Sequence, residues 1–484
     1  MKILYLPGFS HRLCGSRAKS AAGALGESAE QLGGLAALCE RFIPAELLSG
    51  LPGSRRRSFP LSVVFWAFLS QVLTRNSSCR EAVRRVQAWC AAAGRAIPDS
   101  GTAGYCMARA RLPLSRLTQV FERLGEWFEA RASRDHLWCG RVVKVIDGTG
   151  VSMPDTEANR KRWRYAPNQK QGCGFPTTHL VGLFCLGTGR LVRFALDSFK
   201  RHELPMARTL IAWIQAGEVI LADRGFCGWG FLALLQRKGV DAVVRVDGMR
   251  KLPRRGARMP WLKPSLPLTW GKCLWQELPA ALDIRLVRFR VVVPGFRTDT
   301  VILATTLLDP TLYSDEALAE LYLRRWRVEL FMRDIKVTMG LDVLRCQKPE
   351  LIEREIWMQA IGYNLVRALM FEAALIHGLP LDRLSFKGTV DTLRNWAPLF
   401  VAVAARKRKS HRAALLELLA DDRLPHRPNR FEPRVRKRRP KQYPLMTLPR
   451  QRLRRQIAPG GPSRVLTTFQ LIGASKKSTT RRAI

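Results

Sequence analysis

The segment from residue 322 to residue 336 carries four side chains whose types and spacing suit chemistry on a phosphodiester. It contains no Pro or Gly and many strong helix formers, which predicts a helix. At about 100° per residue, Tyr322, Arg325, Glu329 and Lys336 fall within an arc of about 60°. A carboxylate on that face could hold a metal ion while its basic neighbours hold a DNA backbone.

Two interpretations of this face stay open from the helix alone. Arg325 and Glu329 are four residues apart and could form an ordinary surface ion pair. Apolar residues beside the four polar ones instead predict that the helix packs against a core. These apolar residues are Leu321, Leu323, Val328, Leu330, Phe331 and Ile335.

Two further carboxylates follow short runs of buried-strand character. Asp147 ends the run R-V-V-K-V-I-D and precedes Gly-Thr-Gly, and Asp223 ends the run E-V-I-L-A-D and precedes Arg-Gly-Phe. Each Asp taken alone could be a turn or cap residue. Together they predict a site at the strand ends, where α/β sheets place their active sites. With Glu329 they form an all-oxygen set that suits Mg²⁺ or Mn²⁺.

The surrounding sequence predicts the elements that must position these carboxylates. Strands alternate with helices between residues 141 and 247, including a hairpin around Gly187-Thr-Gly189, which indicates an α/β core. Two more strands predict a β-rich insertion over 248–300, and the sequence after 376 is basic and loop-like. Helices are expected at 61–74, 79–94 (capped by Ser78), 100–111, 114–131, 315–340 and 351–376.

These patterns divide the chain into four regions. They are a leader (1–59), a helical domain (60–135), a catalytic domain (136–376) with its insertion (248–300), and a basic C-terminal region (377–484). The small, basic segment Ser100–Pro113 resembles a recognition helix, so the helical domain could bind DNA. A purely structural helical cap remains the alternative for it.

The charge balance points to a polyanionic partner. The chain has 81 Lys and Arg against 39 Asp and Glu, a formal net charge of +42. This excess is far beyond what solubility needs and predicts binding to DNA, RNA or an anionic membrane. The apolar stretches are too short to span a bilayer, and the first residues lack a secretory signal. We therefore expect an intracellular protein that does not contact membranes.

Several polar residues near the candidate site have no assigned role at this point. His179 and His202 are isolated histidines, which are more often structural than metal ligands. Glu203 could be an additional carboxylate near the metals, but an exposed loop position is the expected one. Asp334 follows Glu329 by five residues, so it should point to another side of the helix and is excluded from the set.

The motifs together make the chain resemble the DDE transposases of the insertion-sequence-four family. That family carries a signature of Tyr, two residues, Arg, three residues, Glu, six residues and Lys, which the residues from Tyr322 to Lys336 match without a gap. Its two Asp residues lie in D-G-T and D-R-G-F contexts, as Asp147 and Asp223 do here. The long interval between Asp223 and Glu329 is filled in the family by a β-rich insertion, which the segment 248–300 resembles.

The resemblance implies a fold, an activity and a set of roles. The expected fold is a ribonuclease H-like α/β core, in which Asp147, Asp223 and Glu329 hold two Mg²⁺ ions (Mn²⁺ substituting). Tyr322, Arg325 and Lys336 would contact phosphates. The expected activity is cleavage of transposon ends and joining of their 3′-hydroxyls to target DNA. The partners would be inverted-repeat and target duplexes, bound by a homodimer that pairs two ends, in the nucleoid of a prokaryotic cytoplasm.

Some family members use an insertion tryptophan to stabilise a flipped base. The candidates here are Trp261, Trp270 and Trp275, with Trp326 in the signature helix as a further one. A core role is expected for at least two of the insertion tryptophans.

Two other functions compete with transposition. One is a catalytically inactive, DNA-binding relative that represses its parent element, since the net charge alone would give salt-sensitive binding. The other is a general metal-dependent nuclease with the same three carboxylates. The first would bind DNA without cleaving it, and the second would cleave without regard to sequence and without strand joining.

Overall fold

The structure is a computed structural model, and it describes most of the chain between residues 32 and 425. The described residues are 32–49, 59–165, 172–198, 203–246, 258–291, 300–402, 405–425, 448–449, 451–452 and 455.

Eight strands form one mixed sheet at the centre of the described chain. The strands are β1 (Val143–Ser152), β2 (Thr177–Cys185), β3 (Leu191–Ser198), β4 (Val219–Ala222), β5 (Asp241–Arg245), β6 (Arg258–Leu262), β7 (Ala281–Arg290) and β8 (Thr300–Thr305). Their order across the sheet is β3-β2-β1-β4-β5-β8-β7-β6. Strands β1, β4 and β5 are parallel, and every other neighbouring pair is antiparallel. The expected α/β class is therefore confirmed.

The central strands have the composition of strands that are covered on both faces. All four residues of β4 are buried, and eight of the nine residues of β2 are buried. Parallel strands with both faces covered read as continuous apolar runs, which is why V-I-L-A and V-K-V-I were recognisable in the sequence. The tight turn between β2 and β3 uses Gly189 with a φ of 68°, a conformation that favours glycine.

Helices cover the two faces of the sheet. They are α1 (32–39), α2 (Leu61–Leu73), α3 (Cys79–Ala92), α4 (Ala103–Ala110), α5 (Leu114–Glu129), α6 (Glu157–Trp163), α7 (Glu203–Leu210), α8 (Trp229–Arg237), α9 (Lys272–Gln276), α10 (Asp315–Arg324), α11 (Arg327–Arg333), α12 (Pro349–His377), α13 (Phe386–Trp396), α14 (Leu399–Ala402) and α15 (Arg408–Asp421). The predicted cap of α3 is present, because the Ser78 hydroxyl accepts a hydrogen bond from the Glu81 N–H at 3.1 Å.

Two hydrophobic cores hold this arrangement together. The larger core contains residues of helices α1 through α5, α12, α13 and α15 and lies against one face of the sheet. The smaller core contains residues of α7 and α8 and lies against the other face. Helix α12 is the centre of the larger core, and twenty of its residues are buried. The helical region before β1 therefore shares its core with the sheet instead of forming a core of its own.

The strands from the insertion continue the main sheet. Strands β6 and β7 lie outside β8 at the end of the order, so the predicted β-rich character of 248–300 takes the form of an extended sheet edge. Strand β6 was not anticipated from the sequence. Most of the basic loop before it, residues 251–257, lies outside the described residues.

The loop-like character expected after residue 376 is wrong for the described part of that region. Helices α13 and α15 pack against α12 through buried apolar residues such as Leu393, Leu415 and Leu419. Helix α15 is tied to α12 because Arg412 bonds to Glu372 at 2.5 Å. Basic charge had concealed the helical apolar spacing of these segments. The basic run Arg434–Lys441 lies outside the described residues.

No helix in the described ranges is long and apolar enough to cross a membrane.

Candidate active site

Asp147 and Asp223 lie side by side on neighbouring parallel strands. In the pairing of β1 with β4, Ile146 is opposite Ala222, so the next residue of each strand is a carboxylate at the same edge. Each side chain is held by its own backbone: Asp147 Oδ1 accepts from the Gly148 N–H at 2.9 Å, and Asp223 Oδ1 accepts from the Arg224 N–H at 2.7 Å. The predicted strand-end placement holds for Asp223, which follows the last residue of β4, but is wrong for Asp147, which lies within β1 at the point where its pairing with β4 ends.

The signature segment is helical but not a single continuous helix. Helix α10 ends at Arg324, a turn covers residues 325–326, α11 follows, and a π-helical turn covers Asp334–Thr338. Around the turn the hydrogen bonds tighten to three-residue spacing, from the Arg325 N–H to Tyr322 O at 3.0 Å and from the Glu329 N–H to Trp326 O at 3.1 Å. The uniform 100° spacing expected for 322–336 is thus wrong in detail.

The four signature side chains nevertheless contact β1, the end of β4 or one another. The Tyr322 hydroxyl donates to Asp223 Oδ1 at 3.4 Å. Arg325 Nη2 lies 3.5 Å from Glu329 Oε1, and Lys336 Nζ donates to Thr149 Oγ1 at 2.6 Å. The segment therefore lies across β1 and the end of β4.

The burial of these side chains differs along the segment. Tyr322 is 1% exposed and Arg325 is 6% exposed, whereas the Glu329 side chain is 56% exposed. Of the apolar residues expected to pack, Leu323 and Leu330 are instead exposed, because they lie on the side of α10 and α11 that faces away from the core. These two residues and Trp326 line a shallow surface depression beside Glu329.

The Arg325 guanidinium interacts electrostatically with all three carboxylates. Burial works against its charge, but the Tyr322 hydroxyl and the carboxylates of Asp223, Asp147 and Glu329 together raise the pKa of Arg325. Its Cζ atom lies 5.7 Å from the centre of the Tyr322 ring and 5.6 Å from that of Trp326. The guanidinium is therefore held in place among the acidic groups by packing as well as by charge.

Asp147 is the carboxyl group of this site with a clearly perturbed proton affinity. Burial raises its pKa from 3.8 to about 6, and the Gly148 N–H and Arg325 oppose that rise only in part. Glu203 and Asp223 add negative charge and raise it further. The positive charge of Arg325 does not fully offset the burial of this carboxyl group, and a bound cation would add to that charge.

The three carboxylates lie near one another but are not arranged as the ligands of a metal ion. Among the described residues, no three His, Cys, Asp or Glu side chains are arranged so that they could hold a metal ion as they stand. The exposed Glu329 side chain turns toward Arg325.

Two residues that the sequence interpretation left without a role also face this site. Thr149 contacts Lys336 as described above. Arg245 follows Val244, which pairs with Ala222, so it lies beside Asp223 where β4 and β5 end. Burial raises the pKa of Tyr322 well above its usual value, and the charges of Arg325 and Arg245 oppose that rise. A basic residue at the end of the strand that follows β4 was the available signal for Arg245. His202 lies outside the described residues.

The insertion tryptophans form a packed cluster on the smaller core. The ring centre of Trp275 lies 5.4 Å from that of Trp229 and 5.0 Å from that of Trp270. The Trp229 Nε1–H donates to the Trp261 carbonyl at 2.7 Å. Gly230 allows this packing, since a Cβ there would come within 2.4 Å of Trp270. Trp326, by contrast, lies beside Arg325 and is half-buried.

The sheet, the three carboxylates and a family comparison define the class of protein. The family described as "Transposase DDE domain" matches residues 138–365, a range that begins just before β1 and ends within α12. It includes Asp147, Asp223 and Glu329. The chain is therefore a DDE transposase, an enzyme of DNA transposition.

The chain is also similar to individual transposases of insertion sequence elements. The chain is 26% identical to the transposase InsG of insertion sequence element IS4 from Escherichia coli K12, over 82% of this chain and 89% of that protein. It is 25% identical to the transposase of insertion sequence element IS421 from Escherichia coli, over 47% of this chain and 65% of that protein. The chain is thus similar to the transposase of insertion sequence element IS4 over most of the length of both proteins.

A solved structure is also similar, though remotely. The piggyBac transposase in a synaptic complex with hairpin DNA has a TM-score of 0.39 and 10% identity to the chain, over 82% of this chain and 85% of that one.

Proposed function

We propose that this transposase cleaves the ends of its own element and joins the 3′-hydroxyls to target DNA, with Asp147, Asp223 and Glu329 as the metal-holding carboxylates. One observation carries the proposal: carboxylates from β1, from the end of β4 and from α11 all act on the same buried guanidinium, that of Arg325. Three separate parts of the chain thus direct acidic groups to one place. A structural ion pair would need only one of them.

The donor set fits a hard divalent cation. Every candidate ligand atom is a carboxylate oxygen, which suits Mg²⁺ and, as a substitute, Mn²⁺. The pKa of about 6 at Asp147 supports the fit, because it reflects burial that nearby positive charge does not fully offset. When bound, the ions would polarise the scissile phosphodiester and stabilise the charge that develops on its oxygens.

The basic residues of the signature have a different role in this proposal. Lys336 is half-buried beside Thr149, two residues after Asp147, so its ammonium group is placed to contact a phosphate beside β1. Arg325 would bind a phosphate through the guanidinium edge that now faces Glu329, and Tyr322 would hold Asp223 in orientation. Trp326 is the stacking candidate nearest the carboxylates.

The fold and domain roles complete the proposal. The order β3-β2-β1-β4-β5, with β1, β4 and β5 parallel and β2 antiparallel to both of its neighbours, supports a ribonuclease H-like core. The helices of region 60–135 and the basic residues after 377 would bind DNA outside the catalytic site, consistent with the net charge of +42. Pairing of two ends would require a homodimer.

A cleavage and joining assay tests this function. Full-length protein, Mg²⁺ and a duplex carrying the inverted repeats that flank the gene should give a cut at the element end and joined products. Asp147→Asn and Asp223→Asn should abolish both products while binding the duplex as the wild type does in Ca²⁺. Cutting without sequence preference or joining would favour a general nuclease. Binding without cleavage by the wild type would favour the inactive relative.

A further inference from the structure

The Arg109 guanidinium of α4 donates hydrogen bonds to two cysteine sulfur atoms. Its Nη1 atom lies 3.4 Å from Cys79 Sγ on α3, and its Nη2 atom lies 2.9 Å from Cys346 Sγ in the segment before α12. A third cysteine, Cys106 on α4, has its thiol within hydrogen-bonding reach of Cys79. The guanidinium therefore lies in a cluster of nucleophilic groups outside the carboxylate site.

Arg109 carries a buried charge that no carboxylate of the described residues neutralises through a direct ion pair. The residue is 4% exposed, and its hydrogen bonds go to Gln71 Oε1 and to the two sulfur atoms. Its Nε atom has no hydrogen-bond partner among the described residues. Burial opposes its charge, but acidic groups around it, the more distant Glu355 among them, raise the pKa of Arg109. A buried cation in this position is stabilised when a neighbouring thiol ionises.

Cys79 is the thiol that this environment ionises. It is the first residue of α3, where the helix dipole favours an anion, and Gln71 Nε2 donates to its sulfur atom at 3.8 Å. The hydrogen bond from Cys106 lowers the pKa of Cys79, and the charge of Arg109 lowers it further against the effect of burial. The same hydrogen bond, together with burial, raises the pKa of Cys106. Cys79 is therefore the thiolate of the pair, and Cys106 is the neutral thiol.

A surface cleft gives small solutes access to both members of the pair. Cys79 and Cys106 are each partly exposed, and they line this cleft together with Ser152 at the end of β1. Cys346 also lines the cleft but is only 8% exposed. Reactive cysteines combine a lowered pKa with partial exposure, and Cys79 meets both conditions. An oxidant that enters the cleft therefore meets a thiolate that has a second thiol beside it.

We propose that Cys79 is a peroxide-reactive thiolate and that Cys106 resolves its oxidised form, so that mild oxidation links α3 to α4 by a disulfide. The Cys79 sulfur attacks one oxygen of hydrogen peroxide, the O–O bond breaks, hydroxide leaves and a sulfenic acid forms. The Cys106 sulfur then attacks the Cys79 sulfur, the S–O bond breaks, and the thiol proton leaves with the hydroxyl group as water. The two sulfur atoms lose two electrons in total, and the peroxide gains them. This chemistry goes beyond transposition and uses no residue of the proposed cation site.

Alkylation of the reduced, full-length protein with iodoacetamide at about pH 6.5 tests for the thiolate. Peptide mass spectrometry should show Cys79 reacting at least about tenfold faster than Cys139, an exposed cysteine that serves as the matched control. Arg109→Gln removes the buried charge and should slow the reaction of Cys79 without changing that of Cys139. An unchanged rate at Cys79 in this variant would contradict the role of Arg109. If Cys79 of the wild type reacts no faster than Cys139, the proposal is overturned.

Oxidation of the same protein with a small excess of hydrogen peroxide tests for the disulfide. Peptide mapping without reductant should show a link between Cys79 and Cys106 that dithiothreitol reverses. In Cys106→Ser the reaction should stop at a sulfenic acid on Cys79, which dimedone traps, whereas Cys139→Ser should form the link as the wild type does. A link between Cys79 and Cys346 instead, or no link at peroxide concentrations that oxidise Cys139, would overturn the resolving role of Cys106.

Discussion

The Lys336 ammonium group donates a hydrogen bond to the Thr149 hydroxyl at 2.6 Å, which ties the end of the signature segment to the strand that carries Asp147. These residues are 187 positions apart in the chain. Thr149 and Asp147 are two residues apart on β1 and share one face of that strand, so the contact holds a basic side chain on the face that carries Asp147. It also places the π-helical turn Asp334–Thr338 next to β1.

Removal of the Thr149 hydroxyl should loosen Lys336 without removing its charge. Thr149→Val preserves the shape of the side chain, so we expect end cleavage to slow by about 3- to 10-fold. Thr149→Ser retains the hydroxyl and should cleave at the wild-type rate. Lys336→Met should be slower than Thr149→Val, because it removes the ammonium group that would bind the phosphate. Single-turnover cleavage rates measure all three, and equal rates for the valine and serine variants would contradict this role.

Asp147 should lower the stability of the metal-free protein above pH 6. Its folded-state pKa of about 6 lies above the unfolded value of 3.8, so folding favours its protonated form. The stabilisation is present below pH 3.8 and is lost as the pH rises through 6. Asp147→Asn should therefore be more stable than the wild type at pH 8, by about 1–3 kcal/mol.

Thermal and urea unfolding of metal-free protein at pH 8 and pH 5 checks this prediction. The advantage of Asp147→Asn should shrink at pH 5, where the wild-type carboxyl is largely protonated. Added Mg²⁺ should raise the melting temperature of the wild type at pH 8 more than that of the variant. A destabilised Asp147→Asn protein at pH 8 would show that the ionised carboxylate stabilises the fold.

Arg325 should oppose cation binding while assisting catalysis. Its guanidinium is the positive charge that the three carboxylates share in the metal-free protein. Arg325→Met should therefore bind Mn²⁺ more tightly than the wild type but cleave DNA more slowly, because methionine cannot bind a phosphate. Arg325→Lys retains the charge and should show less of the first effect. Weaker Mn²⁺ binding in Arg325→Met would instead mean that Arg325 organises the carboxylates.

Exposed basic residues at the start of α15 should contribute to sequence-independent DNA binding. Arg406, Lys407 and Lys409 are exposed. Their joint replacement by Gln should reduce the slope of log affinity against log salt by up to about 2.7, because each phosphate that is no longer neutralised lowers the slope by about 0.9. Binding to random duplex at several salt concentrations measures the slope. An unchanged slope would place the DNA elsewhere, and circular dichroism verifies that α15 remains folded.

The parts of the site that follow from local sequence were predictable. Apolar β-branched runs identified β1 and β4, and because the two strands are parallel neighbours, the carboxylates that follow these runs lie next to each other, Asp147 within β1 and Asp223 just after β4. The hairpin expected around Gly187 and Gly189 is formed by β2 and β3. The predicted helices at 61–74 and 114–131 end within two residues of α2 and α5.

The parts that depend on distant contacts were not predictable. Glu203 was expected in an exposed loop, and its approach to Gly148 and His179 is visible only when α7 is packed against β1 and β2. The turn at 325–326 interrupts a segment whose composition is uniformly helical. Strand β6 contains Pro260 and lies at the sheet edge with alternate residues exposed, so it lacks a strong apolar signal.

The most direct test of the account compares Mg²⁺-dependent cleavage of an inverted-repeat DNA end by the wild type, Glu329→Gln and the surface control Glu320→Gln. We predict site-specific cleavage by the wild type and by Glu320→Gln, and a loss of about 10²-fold or more in Glu329→Gln with unchanged DNA binding. Cleavage by Glu329→Gln at the wild-type rate would contradict the assignment of Glu329, together with Asp147 and Asp223, as the catalytic carboxylates.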